Sequence, residues 1–298
     1  MPAEATATLS EEEWRARQAR HQERLGPFVS AHLKRRSCGQ KHPVWDFLFE
    51  YYSFKPAHLL RPSPGLQVLV RGDTSAFESW KEFHIDESGA QLNLSLFPPR
   101  RIEALQSVIE LLRRTHERAA FHGCLGLHEW AMVYRSDEVR HEQAGLRLAP
   151  QQLAELVESQ TICCSHYDAF RFFTAGARSL NVLQPAFEDR AALEQPGCIH
   201  ANMDLYKWSH KFYPWISSEL IVDAFELAVE ARELDMRASP YDLSAWGFEP
   251  IRIETPEGRR EYQAAQRAVA QQAAPLRARL LGALRELSTE VACVRSST

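Results

Sequence analysis

Between Arg100 and Ala120 the apolar residues Ile102, Leu105, Ile109 and Leu112 recur three and four apart, with charged residues filling the intervals. That spacing predicts a helix with one apolar face. Near the N-terminus, Ser10 is followed three residues later by Glu13, a capping-box pattern that predicts a helix ending at Gly26-Pro27, with a second short helix over "VSAHLKRRS". "KHPVWDFLFEYYSFKP" predicts a buried, aromatic-rich helix that stops before Pro56. Alternating apolar residues in "LQVLVRG" and "QLNLSLF" predict short strands, and "TICCSHYDAFRFF" reads as another. Further helices are expected over 198–211, over 218–237 ahead of Pro240, and in an Ala-, Gln- and Arg-rich stretch reaching about 287. The fold class expected is mainly α (an α-rich α+β), with a few short strands. A charged helical N-terminal arm covers 1–36 and a single catalytic-type domain covers 37–290.

Composition adds bounds. Of 298 residues, 45% are hydrophobic and 25% charged, enough apolar material for a sizeable core. The formal net charge of −4 gives no overall positive field, so a nucleic-acid partner would have to meet local basic strings such as "HLKRRS" and "PPRR". No apolar run is long enough to cross a bilayer, and "MPAEATATLSEEEW" lacks the pattern of a signal peptide; the expected location is the cytoplasm. Six cysteines, at 38, 124, 163, 164, 198 and 293, form no CxxC pair and no disulfide framework, and most are expected to be reduced and buried. Cys198 stands two residues before His200. Phosphate-binding loops, the dinucleotide fingerprint, the serine elbow and the H-E-x-x-H zinc motif are all absent, against ATPase, dehydrogenase and α/β-hydrolase chemistry.

Four constellations remain. On a helix over 198–211, His200, Asp204 and Lys207 share one face beside Trp208, suiting an acid/base pair or two metal ligands; the plainer reading is a polar pair supporting the core. On a strand, His166 and Asp168 would share a face, walled by Tyr167, Phe170, Phe172 and Phe173, with structural pairing as the alternative. His128 and Glu129 adjoin, while Glu138 and His141 have an E-x-x-H spacing in a charged stretch that reads as solvated surface. Glu219, Asp223, Glu226, Glu230 and Glu233 line one side of a helix whose other side is apolar, an amphipathic pattern whose acidic stripe faces solvent. "ELDMRASPYDL", with Asp235, reads as a hydrogen-bonded helix terminus.

"KHPVWDFLFEYYSFKP", "GCLGLHEWAMVYR", "HYDAFRFFT", "QPGCIHANMDLYKW", "ELDMRASPYDL" and "RIETPEGRREY" resemble a bacterial family labelled 3-methyladenine DNA glycosylase, over about Lys41 to Leu280. The resemblance implies excision of an alkylated or modified base from DNA, without a cofactor; it assigns no residue roles. Under that reading Asp168 or Asp204 is the catalytic carboxylate, assisted by His166 and His200. Tyr167, Tyr206, Trp208, Trp130 and Lys207 would then hold the base. The alternative is a metal-dependent helical oxygenase or hydrolase drawing iron, manganese or zinc ligands from His128, Glu129, His166, Asp168, His200 and Asp204. A non-catalytic protein that binds a small molecule or nucleic acid is the third reading.

Overall fold

The computed structural model describes residues 5–137, 139, 141 and 143–296. Helix α1 (Glu11–Ser37) opens on the expected cap: the Glu13 N–H donates to Ser10 Oγ at 3.3 Å and the Ser10 N–H to Glu13 Oε2 at 2.8 Å. It does not stop at Gly26-Pro27. Leu25 and Val29, on either side, are fully buried, and their packing holds the helical path through a residue that lacks an N–H. The two expected helices are therefore one. Its inner face, including Trp14, Leu25 and Val29, joins the same core as the later helices.

The aromatic stretch after α1 forms only single turns, α2 (Phe47–Glu50) and α3 (Pro56–Leu59), in place of a continuous helix. Asp46 supplies the reason. Its carboxylate turns inward to accept from Arg35, His32 Nδ1 (2.9 Å) and the His42 N–H (2.8 Å), while Ser53 takes a left-handed φ of 54°. Burial pushes the Asp46 carboxyl up, but hydrogen bonds from Arg35 and His32 bring it below its ordinary value. We expect Asp46→Asn to destabilise the chain by about 3 kcal/mol, as the loss of one member of a buried ion pair does. Because the folded value is depressed, the Asp46 contribution is complete above the unfolded value of about 3.9 and fades as pH falls through the folded one. Thermal melts from pH 7 down to pH 3 check this: the gap between wild type and variant should narrow with acid.

Helices α4 (Ile102–Glu117), α5 (Leu127–Ala131), α6 (Pro150–Ser159), α7 (Tyr167–Phe170), α8 (Ala175–Arg178), α9 (Arg190–Leu193), α10 (Ile199–Lys211), α11 (Ser218–Arg237) and α12 (Pro256–Ser296) follow. With 57% helix and 6% strand, the class is mainly α. Helix α10 packs most extensively on α11, and α12 lies against α4, α10 and α11. Nearly every inward position of α11 is buried; of its acidic stripe Glu219, Glu226 and Glu230 are exposed, while Asp223 and Glu233 are half-buried, held by Arg24 (2.7 Å) and by the Trp45 indole N–H (2.7 Å). Helix α12 carries Pro275 within it and extends past the expected end near 287.

Strands β1 (Ala7–Leu9), β2 (Val68–Val70), β3 (Phe83–Asp86) and β4 (Gly89–Leu92) form one sheet in the order β1-β2-β4-β3, parallel between β1 and β2 and antiparallel elsewhere. The strand expected in "TICCSHYDAFRFF" does not form. Ile162 makes a lone bridge to Asn181, and the Asn181 side chain takes the Cys164 N–H (2.7 Å) and donates to the Cys164 carbonyl (2.9 Å), contacts a neighbouring strand would otherwise supply. His166 then precedes α7, so His166 and Asp168 do not share a strand face. Glu138 of the E-x-x-H pattern lies outside the described residues.

Candidate metal centre

Gly126 sets the start of α5. It has a φ of +73°, and a Cβ there would meet the Ala238 Cβ at 3.2 Å, so a glycine lets α5 approach the end of α11. That approach brings His128 to Asp235. His128 Nε2 lies 2.8 Å from Asp235 Oδ1, and His200 Nε2, from the first turn of α10, lies 4.0 Å from Asp235 Oδ2. One donor atom from each of these three residues falls within 4.8 Å of the others. His128 and Asp235 are almost wholly buried, and the side chain of His200 is 12% exposed. His128 Nε2 and Asp235 Oδ1 face each other without forming a hydrogen bond of acceptable geometry, an unusual state for buried polar atoms. A divalent cation shared by both would satisfy them.

The surroundings put two of the three donors, His200 and Asp235, in ligating form. Burial lowers the His200 pKa well below its ordinary value, with the neighbouring His128 adding to the effect, so its imidazole is neutral. Burial pushes Asp235 up, but His128, His200 and Arg232 outweigh it and keep the carboxylate ionised. Burial also opposes charge on His128, whereas Asp235 and Cys124 raise its pKa well above the usual value; a cation in place of the proton would serve the same carboxylate. On the far side of the ring, His128 Nδ1 is 3.3 Å from Cys124 Sγ, an outer contact that fixes the ring's orientation. Arg232, 1% exposed, lies 2.9 Å from Glu129 Oε1 and 3.3 Å from Asp235 Oδ2, with its guanidinium 4.1 Å from the Phe47 ring centre.

A cavity of about 620 Å³ reaches the cluster on the His200 side. Glu129, His200 and Arg232 line it along with the aromatic residues Phe47, Tyr51 and Phe172. The chain therefore has a buried His/His/Asp cluster able to chelate a metal, next to a space of small-molecule size. No family model, curated protein or solved structure matches the chain.

The remaining residues expected from sequence are distributed unevenly around this centre. Glu129 is engaged by Arg232. His166 stacks on His200, ring centres 5.3 Å apart, and faces Asp204 rather than Asp235. Asp204 is 2% exposed; Lys207 Nζ (3.1 Å) and the Tyr52 hydroxyl (2.9 Å) both reach its carboxylate. Asp168 borders both the cavity and a second, open groove of about 870 Å³, and is tied to Lys207 (2.8 Å) and Arg171 (3.1 Å). Lys207 and Trp208 line that groove, with the ammonium 4.5 Å from the indole centre. Tyr167 is half-buried, edge-on to Phe187. Trp130 and Tyr206 are fully buried: the Trp130 indole donates to the Ala238 carbonyl at 2.9 Å, and Tyr206 packs among Tyr52, Phe54 and Phe225. Neither presents a face on which a ligand could stack. Among the described residues, no helix is long and apolar enough to cross a membrane.

The third donor, Asp235, was not among the expected ligands, although the sequence carries a sign of it. The acidic stripe of α11 runs through Glu226, Glu230 and Glu233, whereas Asp235 lies on the opposite, apolar side between Leu234 and Met236. A carboxylate there, with an arginine three residues earlier on the same side, has to be matched by an internal partner.

Proposed function

We propose that this chain is a metal-dependent enzyme whose ion is held by His128, His200 and Asp235, and that it acts on a small organic substrate in the adjoining cavity. What carries the reading is the convergence of three donors within 4.8 Å of one another, two of them buried and the third, His200, open to the cavity. Two imidazoles, that of His128 exchanging its proton for the ion, and one carboxylate, with coordination positions left open, suit non-haem iron(II) first and zinc or manganese after it. A bound ion supplies Lewis acidity and, if it is iron, electrons for oxygen chemistry. The chain supplies the rest. Phe47, Tyr51 and Phe172 offer apolar walls, Glu129 and Arg232 a polar floor, and His200 is the ligand nearest the substrate. Arg232 positions Asp235 through its Oδ2. We therefore favour an oxygenase acting on a molecule with an apolar body and a polar end.

Base excision, the activity implied by the family resemblance, would fall to Asp168, the candidate carboxylate that lines a cavity; Asp204 lies beneath Lys207 and Tyr52. The test is the metal content, by mass spectrometry, of protein purified without chelator. At least one equivalent of iron, lost in His128→Ala, is expected. Stoichiometric zinc would replace the oxygenase reading with a hydrolytic one, and a folded chain that takes up no metal would overturn the proposal.

A further inference from the structure

The open groove of about 870 Å³ beyond Asp168 has no part in that reading. Helix α4 lends it Val108 and Leu111, and α9 and α10 lend it Arg190, Trp208 and Lys211. Two of its cations make no ion pair among the described residues. Lys211 rests on Trp208, its ammonium 5.8 Å from the indole centre. Arg190 Nε donates to the Phe187 carbonyl at 3.1 Å, and its guanidinium lies 3.9 Å from the Phe187 ring centre. Phe187 also lines the groove and is 54% exposed, a large apolar ring left open to solvent. We propose that this groove binds a small organic phosphate, its dianionic phosphoryl group held between Lys211 and Arg190 and its apolar part laid against Phe187.

The charges around the groove select an anion. Of the carboxylates that border it, Glu110 is taken up by Arg113 (2.9 Å) and Arg114 (2.5 Å), and Asp168 by Lys207 (2.8 Å) and Arg171 (3.1 Å). Glu188 is exposed and unpaired among the described residues, but the charges that act on Lys211 are cationic. Partial burial lowers the Lys211 pKa, and Lys207, Arg101 and Arg190 lower it further, with no carboxylate opposing them. A cation crowded by cations gains from a bound anion. Two monovalent cations without counter-charges match a dianion, whereas a carboxylate ligand would balance one of them. Arginine can meet two phosphoryl oxygens with its planar fork, and lysine adds a point charge. The groove has the volume of a small-molecule site, too. Binding there needs no metal ion, so it stands or falls apart from the reading above.

The experiment is isothermal titration calorimetry of the chelator-treated chain with phenyl phosphate at low ionic strength, with inorganic phosphate and benzyl alcohol titrated in parallel. One phenyl phosphate per chain is expected, with a Kd below about 1 mM. Inorganic phosphate should bind several-fold more weakly, and benzyl alcohol not measurably. Lys211→Ala and Arg190→Ala should each weaken phenyl phosphate binding by about 10-fold or more, as loss of a hydrogen bond to a charged group does. No binding to wild type, or equal binding to wild type and both variants, overturns the proposal. Inorganic phosphate binding as tightly as phenyl phosphate would leave a bare anion site and overturn the organic ligand. If phenyl phosphate fails to bind while a short single-stranded oligonucleotide binds and loses affinity in Lys211→Ala, the groove is a nucleic-acid surface and the small-molecule assignment is overturned. Should circular dichroism show an alanine variant unfolded, Lys211→Gln or Arg190→Gln takes its place.

Discussion

Asp235→Ala is expected to empty the metal site proposed at His128, His200 and Asp235: metal affinity should fall by more than about 100-fold, beyond the 10–100-fold typical of losing an outer-shell partner, and any turnover that depends on the ion should fall to background. Asp235 is the one carboxylate of the cluster, and its two oxygens face the two histidines separately, Oδ1 towards His128 and Oδ2 towards His200. Without it, two imidazoles remain beside the cationic Arg232, an arrangement that repels a divalent ion. The effect can be read without knowing the substrate. An ion that binds only the folded chain stabilises it by about 2.7 kcal/mol at a free concentration 100 times Kd. Chelation should therefore lower the melting temperature of wild type and leave that of Asp235→Ala unchanged. If the variant responds to chelator as wild type does, Asp235 is not a ligand.

The helices that hold the site were legible wherever one apolar face repeats over several turns. Helix α4 follows that pattern closely and α11 keeps an acidic outer stripe, whereas α10 is buried almost all the way round, Asn202, Asp204 and Ser209 included. Two kinds of segment were not. Pro27 reads locally as a stop, yet Leu25 and Val29 are pinned in the core and the helix continues; a single-residue signal loses to tertiary packing. The stretch around His166 reads locally as a strand, but the amide of Asn181, seventeen residues from Cys164, satisfies its backbone instead. Spacing along a helix found His200 and, beside it, Asp204, yet these two belong to different clusters: His200 turns towards α5 and α11, and Asp204 towards His166. The i, i+4 rule places residues on a common face and says nothing about which neighbour each one meets across it. His128 was found as a candidate and Asp235 was not, since their meeting depends on the close approach of α5 to α11 at Gly126.

Arg232→Met is expected to cost about 3–5 kcal/mol of stability, the range for removing one partner of a buried ion pair. Arg232 Nη1 spans Glu129 Oε1 at 2.9 Å and Asp235 Oδ2 at 3.3 Å, and all three side chains are almost fully buried. Methionine fills much of the volume over Phe47 but leaves Glu129 without the cation it faces. The cost therefore lies in Glu129 and should be recovered in part by Glu129→Gln in the same chain. A double-mutant cycle by denaturant unfolding reads this directly, with a coupling of about 1–3 kcal/mol expected for residues in one network. Strict additivity would show that the pair is not coupled. Metal adds a second axis. With the ion bound, Asp235 keeps a second cation beside it, so Arg232→Met should lose less stability in the metal-loaded chain than after chelation. Arg232→Lys separates charge from shape: an ammonium keeps the charge but lacks the second arm, Nη2, that stands 3.3 Å from His141 Nε2, and it should fall between wild type and methionine. Arg232 is thus expected to act on the ion through Asp235, as a positioning residue whose loss weakens binding without removing a ligand.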